Sequence, residues 1–135
     1  MSSKLDYASR HIMLDYLFNR AKDDGRPLAI CIVDDSGWIL EAVLMDGAPK
    51  RMLKFGFHKA YTAAIMGRET ADLRSHMESR GSVDVFCDPN LTVLRGGTPI
   101  LNKDGEIIGA IGMSGWKSEE DQELANEAAA LLNIT

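Results

Sequence analysis

The feature that most constrains the fold is the run from Leu94 to Ser118, which combines a hairpin, a buried strand and the start of a helix. Asn102 to Gly105 separate two apolar segments, and Asp104-Gly105 supplies the positive φ that a tight hairpin needs. Beyond that turn Ile107, Gly109, Ile111 and Met113 alternate with Ile108, Ala110, Gly112 and Ser114, so neither face of the strand carries a charge. A strand apolar on both sides belongs in the middle of a sheet covered on both faces. Glycines within such a strand mark places where another group packs unusually close to the backbone.

The chain has 135 residues, 45% of them hydrophobic and 26% charged, which fits one globular domain spanning residues 1–135 with a single core. A formal net charge of −5 with scattered basic residues leaves no electrostatic footprint for nucleic acid. No window approaches the ~18 unbroken apolar residues of a membrane span, and the first ten residues carry Asp6 and no apolar signal core. A cytoplasmic chain with neither membrane nor nucleic acid as partner is expected. Cys31 and Cys87 have no metal-ligand or Cys-x-x-Cys spacing, so both are expected to be reduced.

Leu5 to Lys22 reads as a helix ended by Asp24-Gly25 and Pro27. Leu5, Ala8, Ile12 and Tyr16 form one stripe at helical spacing, read as the core face, while Tyr7, His11, Leu14 and Phe18 form a second. One stripe can face a sheet; the other then needs a neighbouring subunit or a ligand, so the working form is expected to be an oligomer. Leu28 to Val33 and Trp38 to Met45 flank the turn Asp34-Asp35-Ser36-Gly37 as a second hairpin. Pro49 starts a helix to about Met66, with Leu53, Phe57, Ala60 and Ala64 as its core stripe, a ridge of small residues (Gly56, Ala60, Ala63, Gly67) beside it, and His58 and Thr62 on a more polar side. Thr70 caps a short helix to Ser79, Leu91 to Leu94 reads as a short strand, and Ser118 caps the closing helix, whose Leu124, Ala128, Leu131 and Leu132 face the core. The order α-β-β-α-α-β-β-β-α, dominated by hairpins, gives an α+β fold with an antiparallel sheet. The glycines from Gly109 to Gly115 do not read as a phosphate loop, because Glu119, Glu120 and Asp121 already occupy the following helix start.

Five motifs occur in order: Val33 to Gly37, Met45 to Ala48, Lys59 to Ala63, Gly96 to Ile100, and Ile108 to Gly115. Together they resemble the GlcG/HbpS-like haem-binding family, whose module also forms the C-terminal domain of PduO-type corrinoid adenosyltransferases. The resemblance covers nearly the whole chain. It implies a profilin-like five-stranded antiparallel sheet flanked by helices, assembly into dimers and octamers, and binding of haem or a related tetrapyrrole. It also implies a role beside small-diol or glycolate catabolism, or in extracellular redox sensing; the adenosyltransferase domain itself is absent from this chain.

Under that resemblance His11, between Tyr7, Leu14 and Phe18, suits an axial haem ligand, since porphyrin needs apolar walls and the iron one nitrogen. The plainer reading is a histidine in a helix-helix interface, hydrogen-bonded to a carbonyl. Two copies of His11 near a twofold axis would clamp one iron. His58 is the alternative ligand, and His58 or Arg95 could receive a propionate; otherwise they are solvated surface groups. Cys31 reads as core packing, and Cys87 as a weaker candidate for iron. A different class of function, a small-molecule enzyme acting on a hydroxy-acid or diol-derived metabolite, would use Lys59 with Asp34, Asp35, Asp46 and His58 as an acid/base set. A pure assembly module without ligand is the third reading.

Overall fold

A computed structural model describes residues 5–80 and 88–134. The elements are α1 (Tyr7–Asp24), β1 (Ala29–Asp34), β2 (Ile39–Leu44), α2 (Arg51–Met66), α3 (Thr70–Ser79), β3 (Gly97–Leu101), β4 (Ile107–Ser114) and α4 (Ser118–Ala130), followed by a 3-10 turn, Leu131–Ile134. The strands form one antiparallel sheet in the order β2-β1-β4-β3. Both hairpins close as their residues dictate. Asp34 Oδ1 accepts from the amides of Ser36 and Trp38 (2.9 Å each) before Gly37 at φ 89°, and Asn102 Oδ1 does the same for Asp104 and Glu106 before Gly105 at φ 79°.

The sheet is covered on both faces. On one, Ile30, Ile32, Ile111 and Met113 pack with Met13, Leu17 and Ala21 of α1 and Leu124, Ala125 and Ala128 of α4. On the other, Cys31, Val33 and Ala110 pack with Ala60, Ala63 and Ala64 of α2. The two inner strands β1 and β4 are thus buried on both sides, as the charge-free alternation of β4 requires. The small-residue ridge of α2 lies almost on the backbone. A methyl group added at Gly112 would overlap the Ala60 amide and the Gly56 carbonyl, and one at Gly109 would overlap the Val33 carbonyl and Leu5.

Three expectations are corrected. Among the described residues the sheet has four strands rather than five, because 91–94 is not a strand. There the amides of Leu91, Thr92 and Leu94 are taken by the Asp88 carbonyl (3.1 Å), Thr62 Oγ1 (2.9 Å) and Thr92 Oγ1 (3.2 Å), so local and side-chain acceptors replace a ladder. The core stripe of α1 is Met13, Leu14, Leu17 and Ala21; Ala8 and Ile12 are exposed. On α2 the buried face is Gly56, Lys59, Ala60, Thr62, Ala63 and Ala64, with Leu53 and Phe57 at its margin, because the small ridge approaches the sheet more closely than larger side chains would permit.

Gly112→Ala should therefore lower stability by about 1–3 kcal/mol or more, since backbone atoms must move to accept the methyl group. The check is a urea titration, in which the midpoint falls while the slope stays as in the native chain.

Candidate functional site

The outer side of α1 carries the first candidate. Asp6 caps the helix by accepting from the Ser9 amide (2.8 Å), and Gly25 closes it at φ 68°. One flank of the helix is engaged: Tyr16 donates to Glu127 of α4 (2.6 Å), and Arg20 reaches the same carboxylate. The opposite flank leans over β2, where Arg10 Nε donates to Glu41 Oε2 at 2.8 Å and His11 Nε2 lies 3.7 Å from that oxygen. The His11 ring stacks on Tyr7, centroids 4.0 Å apart and planes 33° from parallel. Tyr7 is 67% exposed, Phe18 49% and the His11 side chain 37%. Tyr7, His11 and Phe18 are thus all open to solvent on α1, the first two in ring contact and Phe18 two turns further along. Leu14, expected beside them, is turned into the core at 8% exposure and supports the helix from within.

His58 does not join this group. It projects from α2, which covers the opposite face of the sheet, and its ring lies 5.8 Å from that of Phe57. Burial, helped by Lys54, pulls its imidazole below the ordinary histidine range. Nearby, Tyr61 donates to Asp88 at 2.6 Å, a bond that raises the phenol and lowers the carboxyl. Arg95 is tied to Glu119 at 3.4 Å. Cys31 is fully buried and burial pushes its thiol up to about 12, which makes it packing and not chemistry. Cys87 lies outside the described residues.

Lys59 is the largest departure from the sequence reading. Its ammonium is buried, donating to the Met113 carbonyl (2.9 Å) and to Asp121 of α4 (3.3 Å). The side chain passes the glycine corner, where a methyl group on Gly96 would strike it, and so joins the helix on one face of the sheet to a helix on the other. Burial lowers Lys59 and raises Asp121 to about 6; the pairing opposes both shifts. Beside them Gln122 Oε1 accepts from Gly96, Ala71 and Thr70, and its Nε2 donates to Gly97, Thr98 and Asn126. This is a closed structural brace: a substrate cannot reach Lys59, so the acid/base set does not assemble around it. Asp34 is likewise spent on its turn. A separate groove of about 470 Å³ between the α2–α3 corner, β3 and α4 is lined by Arg68, Glu69, Asp72, Thr98 and Asn126, and contains none of the expected site residues.

Glu41 and Arg10 are the residues that sequence reading missed beside His11. In the fold the β1 pairing sets Glu41 opposite Ile32, on the side of the sheet that α1 covers. No three His, Cys, Asp or Glu side chains converge on one point among the described residues, so iron held at His11 would need its remaining ligands from a macrocycle. The half-open imidazole between flat apolar groups fits that need. Among the described residues, no helix is long and apolar enough to cross a membrane.

Comparison with known proteins agrees on a family. Residues 5–130 match the family described as haem degrading protein HbpS-like. The chain is 36% identical over 112 residues to Protein GlcG of Escherichia coli, covering 83% of this chain and 82% of that one. Among solved structures, a PduOC:heme complex superposes with TM-score 0.85 at 26% identity, covering 98% of each chain. A double mutant of Streptomyces reticuli HbpS superposes with TM-score 0.86, also at 26% identity, covering 98% of this chain and 89% of that one.

Removing one member of the Lys59–Asp121 pair strands a buried charge. Lys59→Met should cost roughly 3–5 kcal/mol, and adding Asp121→Leu to it should recover part of that loss. Chemical denaturation of the two single variants and the double variant measures the recovery.

Proposed function

This chain belongs to the HbpS-like family, and from that premise we propose that it binds haem or a closely related tetrapyrrole on the outer side of α1, with the His11 imidazole as axial ligand. The observation that carries this reading is the solvent-open group of Tyr7, His11 and Phe18, whose imidazole rests on an aromatic ring and stands beside a carboxylate. Large aromatic groups left exposed on one helix in this way favour a binding surface. The match to a PduOC:heme complex along 98% of both chains supports the ligand class.

The roles divide by chemistry. Tyr7 and Phe18 supply flat apolar contact for the ring, and Leu14 holds the helix's inner side rigid through the core. Glu41, fixed by Arg10, stands 3.7 Å from His11 Nε2 and places a negative charge beside the ligating imidazole. When bound, haem supplies an iron centre whose behaviour is set by its axial ligand and the polarity around it. A porphyrin has two broad faces and this side of α1 covers one, so the second is supplied by another copy, in a homo-oligomer that we take to be a dimer or an octamer. The chain then acts as one domain, a cytoplasmic haem-binding accessory to a small-molecule catabolic pathway. His58 and Arg95 take no part in the first contact, the one packed on α2 and the other paired to Glu119.

Titrating the apo-protein with hemin tests the reading through the Soret band. The native chain should give a saturable, stoichiometric shift. His11→Ala should weaken binding at least tenfold, while His58→Ala should bind as the native chain does. Undiminished binding by His11→Ala, or featureless absorption with the native chain, would refute the assignment.

A further inference from the structure

The sheet has two outer edges, and they are built differently. In an antiparallel ladder the backbone groups of successive residues point alternately toward and away from the neighbouring strand. On β3 the Met113 amide bonds the Gly96 carbonyl at 3.0 Å, so Gly97 and Pro99 turn their backbone outward. Both are closed to pairing. The Gly97 N–H donates to Thr70 Oγ1 and its carbonyl accepts from Gln122 Nε2, each at 3.0 Å, while Pro99 has no N–H.

On β2 the Met45 amide bonds the Leu28 carbonyl at 3.0 Å, which sets the phase for the whole strand. Val43 and Glu41 then face β1, and Ala42 and Leu44 present their N–H and C=O groups outward. Among the described residues no side chain takes these groups, the strand contains no proline, and Ala42 is exposed. Apolar groups border the edge on both faces of the sheet. On the α1 face the Tyr7–His11 stack stands beside Glu41, and Ile39, 54% exposed and opposite Val33, lies on the α2 side.

We infer that β2 is an interaction edge for a second copy of this chain, the two β2 strands pairing antiparallel about a twofold axis to join two four-stranded sheets into one. Such an interface is isologous, and an outward-facing antiparallel strand is complementary to itself. Charge favours a register centred on Ala42 over one centred on Glu41. With Ala42 on the axis, its N–H and C=O exchange with those of the partner's Ala42, and Glu41 lies opposite the partner's Val43. A shift that centres on Glu41 would set two carboxylates opposite each other, which is unfavourable. Both α1 helices then flank the new strand pair on the same face, bringing the two Tyr7–His11 stacks toward the junction.

The inference shares with the proposed function the association of copies, and does not depend on haem, so it is tested on apo-protein. Sedimentation equilibrium should give the native chain the mass of a dimer or a multiple of it. Ala42→Pro removes an N–H that the fold does not use and should halve that mass with an unchanged circular dichroism spectrum. A native monomer, or an Ala42→Pro variant of undiminished mass, would overturn the inference. Should Ala42→Pro fail to fold, Ala42→Cys in a Cys87→Ser background decides. Directly opposed hydrogen-bonded residues lie ~5.5 Å apart between Cα atoms, within disulfide reach. Near-complete crosslinking on oxidation supports the pairing, and none contradicts it. Adding hemin afterwards separates the two claims. A monomeric Ala42→Pro that still shifts the Soret band leaves the edge pairing supported and moves the haem site off the junction. A native dimer that binds no hemin keeps the pairing and loses the haem reading.

Discussion

The fold depends on how closely α2 lies against the sheet. Gly56 and Gly112 meet without side chains between them, and Gly97 sits so near Lys59 that a methyl group there would overlap the Lys59 carbonyl. Only at that separation does the Lys59 ammonium clear the glycine corner and reach Asp121 on the far helical layer. Two charges are thereby taken out of water. That is costly in itself, and the cost is offset by the Met113 carbonyl, by the Trp116 amide on Asp121 and by the fully bonded Gln122 alongside. The brace is a specifying interaction more than a stabilising one: it sets the positions of α2, α4 and the start of β3 relative to one another.

With α4 fixed in this way, α1 is held along one flank. Tyr16 and Arg20 tie it to Glu127, and Met13, Leu17 and Ala21 seat it on the sheet. The other flank overhangs the edge strand and meets it through one shared carboxylate, Glu41. This side of α1 is therefore open because the sheet ends beneath it. The two edges of the sheet differ in the same way on the backbone side, since β3 is finished by Thr70, Gln122 and Pro99, whereas among the described residues no side chain takes the outward groups of Ala42 and Leu44 on β2.

Much of this was legible in the sequence where local chemistry decides. The turns at Asp34 to Gly37 and Asn102 to Gly105, the glycine cap after α1 and the charge-free β4 all follow from residue type and spacing. The inference that a second apolar side of α1 is left over also follows from spacing, although helical periodicity could not rank the stripes. Met13 and Leu17 carry the core, and Leu14 belongs with them. What spacing could not show is long-range pairing. Thr62 and Thr92, thirty residues apart, replace a strand with a side-chain bond, and Lys59 and Asp121, sixty-two apart, neutralise each other in the interior. A lysine beside small residues reads as a solvated group until the glycine corner that admits it is known. Glu41 was missed for a related reason: its meaning comes from the helix above it, which no property of β2 reveals.

The central claim, that the overhanging side of α1 is where a flat cofactor is held, is tested most directly by locating iron in crystals of the hemin complex through its anomalous scattering. An iron peak at bonding distance from a His11 nitrogen, with a porphyrin plane against Tyr7 and Phe18, is the result this account requires. A peak on the α2 side near His58, or in the groove beside Arg68 and Asn126, would contradict it.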